Sequence, residues 1–271
     1  MKKLLCLIML LIMVGVIDNA AGQTSYSKSI VWKGYTWVLR EGNPYSSPGY
    51  GAWSSANIIG PDANGYLTFK ITNPTGVQPI GCQMNSQKVG WGYGTYTVVV
   101  EGDMTTLDKN IVWGGLFPMY CGNPYIEFDV CETSLWNAYP NTQIIHNSFY
   151  GTYPSSLLAH GAHINIPQDR VQTHRLIWQP GKVTFDSFIG TGTGGTNYFH
   201  TEVTQDVPAP SQELLAFSMW VTLGGVRQTP DWTDLDAPET SVILRDFTFT
   251  PLSSSPTPTP TPTSKKPRRK R

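Results

Sequence analysis

The chain has 271 residues, 40% of them hydrophobic and only 14% charged, with 26 glycines, 21 prolines and a formal net charge of zero. That length can bury one sizeable core, and scarce charged residues beside abundant aromatics, Gly and Pro exclude a helical bundle in favour of short strands joined by turns. The zero charge is an average: without the tail KKPRRKR and Lys2, Lys3 and Asp18 near the start, 11 basic and 18 acidic residues remain, near −7, which argues against nucleic acid as a partner and suits a neutral polymer.

Residues 1–22 combine Lys2 and Lys3, an apolar run and small residues at Ala20 to Gly22, the pattern of a secretory signal peptide. The apolar run is short for a membrane span. The mature chain is therefore expected to be secreted, extracellular or at the cell surface, and to lose Cys6 with the signal. Cys82, Cys121 and Cys131 remain, an odd number. One pair can bridge in an oxidising compartment; Cys82 with Cys121 is the preferred pair, although spacing leaves connectivity open.

Residues 23–252 read as strand after strand. TWVL at 36–39, YLTFKI at 66–71, YTVVVE at 96–101 and VILRDFTF at 242–249 are rich in β-branched and aromatic residues with partial alternation. Turn clusters such as GPDANG, NPTG and QPGK separate such runs. The expectation is an all-β fold, an antiparallel β-sandwich of the jelly-roll kind. Residues 253–264 are a Pro/Thr-rich linker suited to an extended tether, and residues 265–271 are the basic tail. The tail either solubilises the end of the chain or contacts an anionic cell wall or membrane surface.

Within this domain, residues 126–132 read IEFDVCE. Period-two alternation puts Glu127 and Asp129 on one face and Ile126, Phe128 and Val130 on the other, leaving Glu132 on the wrong side. A β-bulge at Val130 and Cys131 would bring it back. Four strand steps of ~3.3 Å then set the glutamate backbones about 13 Å apart and their carboxyl groups about 5 Å apart, the separation a retaining glycosidase uses. Asp129 between them would keep at least one proton in the cluster. The plain alternative is a solvated acidic strand face, but three clustered like charges on an ordered strand cost stability.

EFDVCE resembles the Glu-x-Asp-x-x-Glu signature of family 16 glycoside hydrolases, the laminarinase and lichenase group with the concanavalin A-like lectin/glucanase fold. VWGGLFPMY at 112–120, THRLIWQPGKVTFDSFIG at 173–190, FSMWVTLGG at 217–225 and ILRDFTF at 243–249 are similar, in order, to further strands of that family. The resemblance implies Glu127 as nucleophile, Glu132 as general acid/base and Asp129 as the residue balancing their proton. It implies no cofactor for catalysis. It also implies a structural calcium at Asp246, for which a simple surface aspartate is the alternative. Two departures, Ile126 where glycine is usual and Trp220 where a polar residue is common, bear on substrate choice.

Aromatic rings suit the C–H faces of sugars. Trp220 alternates with Ser218 and Thr222 and is the first candidate for a substrate platform, followed by Trp113, Tyr120 and Trp136; each could instead pack in the core. Trp178 reads as packing. His146 is a further candidate for sugar contact, with Gln143 and Asn147 on the alternate face of its strand. HGAH at 160–163 lacks the helix and glutamate of a zinc protease, the glycine-rich stretches at 91–96 and 190–198 lack the context of a phosphate loop, and no Gly-x-Ser-x-Gly elbow is present. Two functions stay open: a monomeric endo-glycosidase acting on a β-linked polysaccharide, or a lectin-like module that binds one without cutting it.

Overall fold

The computed structural model describes residues 25–42, 51–74, 79–122, 125–135, 144–153, 156–221 and 239–253. Residues 1–22, where a signal peptide is expected, nearly all of 253–264, the tail at 265–271, Trp136, Gln143 and Thr222 lie outside them.

The strands form two layers. The front layer runs β11 (Ser156–Asn165), β10 (Ile144–Tyr153), β9 (Ile126–Ser134), β8 (Ile111–Tyr120), β15 (Leu214–Val221), β6 (Ile80–Val89), β2 (Tyr35–Glu41) and β1 (Ser25–Trp32). The back layer runs β14 (Asn197–Val203), β13 (Lys182–Ile189), β12 (Val171–Gln179), β7 (Gly94–Glu101), β16 (Glu239–Pro251), β5 (Leu67–Thr72) and β4 (Ile58–Ile59). The layers are joined where Thr72 of β5 pairs with Ile80 of β6. Every described pairing is antiparallel except that of β3 (Ala52–Trp53) with β6. The fold is an all-β jelly-roll sandwich, as the sequence predicts, and the four strand runs quoted above lie on β2, β5, β7 and β16.

Alternation builds the core. Leu67, Phe69 and Ile71 of β5, Tyr96, Val98 and Val100 of β7, and Val183 and Phe185 of β13 point inward from the back layer. Trp37 and Leu39 of β2, Cys82 and Met84 of β6, Phe217 and Met219 of β15, and Ile126, Phe128 and Val130 of β9 meet them from the front. Phe128 packs on Trp178 with ring centroids 4.7 Å apart, and Phe69 meets Trp113 edge-on at 5.5 Å, so aromatic pairs tie the layers together. Trp178 Nε1 donates to Pro208 O at 2.9 Å, confirming its role as packing.

Cys82 and Cys131 are free thiols sealed in this core, so the expected Cys82–Cys121 bridge does not form. Burial pushes both thiols up to about 12, which makes them apolar filling.

Candidate active site

Each front-layer strand turns its alternate residues away from the core, and the acids of β9 lie on that outer face. Strand β10 fixes the register. Phe149 pairs with Phe128 and Ser148 with Asp129, but His146 pairs with Glu132, so two residues of β10 span three of β9. The extra residue falls at Val130–Cys131, both in the core cluster, and Cys131 takes a left-handed φ of 56°. His146 and Ser148 share a face of β10, so Glu132 and Asp129 share a face of β9, and Glu127 joins them by period two. The expected bulge is present.

Its strain is supported on both sides. A left-handed φ costs a non-glycine residue about 1–2 kcal/mol. Asn147 points to the core side of β10, and its Oδ1 accepts the Cys131 N–H at 3.1 Å, so the bulge amide is not buried unpaired. On β8, Gly115 adopts φ +60°, and a Cβ there would lie 2.1 Å from Val130 O. Strand β8 carries its own extra residue at Gly114, against β15, while its register with β9 is unbroken across the same three residues. The two bulges therefore lie side by side.

The acids meet polar side chains. The Tyr125 hydroxyl donates to Glu127 Oε2. Ser148 Oγ donates to Asp129 Oδ2 at 3.1 Å, and His146 Nδ1 stands 3.9 Å from Glu132 Oε2. Asp129 is only 3% exposed. His146 thus reaches the acid row, whereas Asn147 props the bulge from the opposite face.

The aromatic candidates fare unequally. Trp113 is fully buried in the core and Tyr120, paired with Ile126, packs against the core, so neither can face a sugar on the acid side. Trp220 does lie on the outer face, opposite Val112, but its ring packs with Trp53 and Val112 and is 8% exposed. Phe117, paired with Ala216, is half-buried on this face, and Met119 lies opposite Glu127; neither was expected.

A polar floor extends across β6 and β2. Arg40 stacks 4.3 Å from the Trp53 ring centroid and donates through Nη1 to Gln83 Oε1 at 2.7 Å. Gln83 Nε2 donates to Asn85 Oδ1 at 2.8 Å, and Asn85 Nδ2 to the Tyr26 hydroxyl at 3.2 Å. The alternation of Gln83 and Asn85 with Cys82 and Met84 is the sequence signal that could have found them.

At Asp246, where calcium is expected, the carboxylate meets a lysine. Asp246 Oδ1 is 2.9 Å from Lys33 Nζ and also accepts the Phe247 N–H at 3.0 Å. An ammonium balances this carboxylate, and among the described residues no group of three or more His, Cys, Asp or Glu side chains could hold a metal ion.

By sequence the chain matches no protein-family model and no curated protein. By structure it is similar to the β-glucanase of Bacillus licheniformis, with 15% identity, TM-score 0.62, and 86% of this chain covering 99% of that one. The chain has the jelly-roll fold of the family 16 β-glucanases. A prokaryotic β-1,3-1,4-glucanase (lichenase) from a mouse hindgut metagenome shares this glucanase fold at 17% identity and TM-score 0.56, covering 86% of this chain and all (100%) of that one. So does a protein of Mycobacterium tuberculosis described as an immunostimulatory antigen and pseudo β-1,3-glucanase, at 14% identity and TM-score 0.54, covering 88% of this chain and 94% of that one. The glucanase jelly roll therefore carries both a lichenase and a pseudo-enzyme, and catalysis has to be argued from the acids.

Proposed function

We propose that this protein is a secreted, retaining endo-glycosidase that hydrolyses a β-linked polysaccharide, a β-1,3/1,4-glucan or a related galactan. The observation that carries the reading is the bulge at Val130–Cys131, which turns Glu132 onto the face of Glu127 and Asp129. Five residues then span four strand steps, about 13 Å between backbones, and two facing side chains bring the carboxyl groups to about 5 Å.

In the first half-reaction Glu132 donates its proton to the glycosidic oxygen as the C1–O bond breaks, and Glu127 bonds to C1 through a carboxylate oxygen. The Tyr125 hydroxyl donates to Oε2 of this nucleophile and helps to orient its carboxyl group. In the second half-reaction Glu132 takes a proton from water, whose oxygen displaces Glu127 from C1 with net retention. Asp129, close to both acids, disfavours full ionisation of the row and so keeps a proton available for Glu132. No cofactor enters these steps. The acidic domain suits a neutral sugar chain, and the leader at 1–22 and the basic tail at 265–271 support export and contact with a cell wall or membrane surface.

The test is hydrolysis of laminarin, lichenan, agarose, carrageenan and xyloglucan, scored by new reducing ends. At least one is expected to be cut, with product of retained anomeric configuration, and Glu127→Gln is expected to abolish cutting while sugar binding persists. Tight binding without any new reducing end would overturn the enzyme reading and leave the lectin-like one, the outcome that likeness to a pseudo-glucanase favours.

A further inference from the structure

The rung that pairs Glu132 with His146 does not stop at β10. His146 pairs in turn with His163 of β11, so three side chains, Glu132, His146 and His163, stand in line across three strands on the same outer face. The two imidazoles are stacked, with centroids 4.0 Å apart and planes 17° from parallel. His146 is largely covered, whereas His163 is exposed on the outermost strand of the layer. The HGAH stretch is thereby divided. His160 faces the other way, stacked on Phe149 with its Nε2 3.2 Å from Asp206 Oδ2, and only His163 stacks on the histidine beside the acid row.

The close stack is built into the backbone. At Gly161, φ is +141° and a Cβ would lie 2.2 Å from Asn147 O, so β11 approaches β10 where no other residue would fit. Asn147 is also the residue whose side chain holds the bulge amide. One short stretch of β10 therefore braces the turn that aims Glu132 and carries the ring that stands beside it.

A histidine ring turns about two side-chain bonds, and 3.9 Å from Glu132 its value depends on which edge it presents. A flat cover at 4.0 Å restrains the plane of the ring and leaves its nitrogens to act in that plane. We propose that His163 is a positioning residue for the glycosidase reaction: its ring holds the plane of His146, and His146 holds the carboxyl group of Glu132 in line for proton transfer. This rests on the assignment of Glu132 as general acid/base. Loss of such support from one layer out lowers the rate of chemistry more than the binding of substrate.

The experiment compares the unaltered full chain with His163→Ala and His163→Phe on whichever polysaccharide is cut. His163→Ala is expected to lower kcat about tenfold with KM changed less than about twofold. His163→Phe, which keeps a flat ring but cannot titrate or donate, is expected to restore kcat to within about threefold of the unaltered protein. The ring-proton resonances of His146 are expected to shift in the alanine variant and return towards their original positions in the phenylalanine one. An unchanged kcat in His163→Ala, a rise in KM alone, or a phenylalanine variant as impaired as the alanine one would each overturn the positioning role. Should His163→Ala fail to fold, His163→Leu replaces it as the variant without a flat ring. If the unaltered protein cuts no polysaccharide, the glycosidase reading falls and takes this role with it; an active protein indifferent to His163 overturns this role alone.

Discussion

Asp129 and Asp186 are the same residue type, each near the middle of a strand and almost as buried as the other, at 3% and 2% exposure, yet different side chains meet them. Asp186, on the outer face of β13, receives Arg175 Nε and Nη2 at 3.0 and 2.7 Å on Oδ2, and His200 Nδ1 lies 2.7 Å from Oδ1. Burial alone would raise its carboxyl, but the bonds from His200 and Arg175 outweigh that and hold it below the ordinary aspartate range. Asp129 instead shares a face with two further carboxylates and accepts a bond from the Ser148 hydroxyl. One aspartate is an anion held between Arg175 and His200. The other stands in a row of three acids on one face of β9. Burial alone therefore does not mark an acid for chemistry; the groups around it do.

The contrast can be broken by substitution. The largest effect is expected at Gly115, whose replacement by Ala would drive a methyl group onto Val130 O and collapse the paired bulges. Gly115→Ala should cost about 3 kcal/mol or more in urea unfolding and abolish hydrolysis, because Glu132 loses its orientation. Next, Asp186→Asn should destabilise by about 1–3 kcal/mol at neutral pH, discounted for the partial exposure of Arg175 and His200. Asp129→Asn should change stability by less than about 1 kcal/mol, or raise it, while reducing activity. A matching loss of stability at both aspartates would erase the distinction. The sign with pH follows for Asp186: its carboxyl is depressed in the folded state, so its contribution is complete above the unfolded value and drains away as pH falls through the lower folded one.

His174 sharpens the comparison as a buried group that the fold keeps neutral, where Asp186 is kept charged. It lies in the core with Nδ1 2.9 Å from Ser187 Oγ, and burial depresses it to about 3. Between its unfolded value near 6.5 and about 3, the unfolded chain binds a proton that the native state refuses, so stability falls as pH falls through that window. A loss of a few kcal/mol by pH 4 is expected, and His174→Gln should flatten the slope. The smallest effect is expected at Asp246: with Lys33 in place, adding calcium or a chelator should leave Tm unchanged within about 1 °C, and a rise of several degrees with calcium would reinstate a metal there.

Much of this was legible in the sequence, with an identifiable limit. The sandwich could be read from β-branched alternation and turn clusters, and the bulge from the parity of Glu127, Asp129 and Glu132, because both are properties of one strand. Trp113 and Tyr120 were misjudged for a parity reason as well. They stand seven residues apart, which a regular strand would place on opposite faces, and the extra residue at Gly114 brings both to the core face. No charge pattern marks that second bulge; only the Gly-Gly pair hints at it. The meeting of Arg40, Gln83 and Trp53 needs β2 and β3 beside β6, and the His146–His163 stack needs β11 beside β10. Such pairings between strands are settled by the whole sandwich.

Because β8 and β9 each carry one surplus residue at the same level, they slide as a unit, and the misfit is pushed outward to their borders with β15 and β10. A lineage could not gain or lose this acid geometry by altering β9 alone, since a one-residue deletion there would throw its whole ladder with β8 out of step. Removing one residue from each strand together would restore a regular sheet, and with it an inert surface.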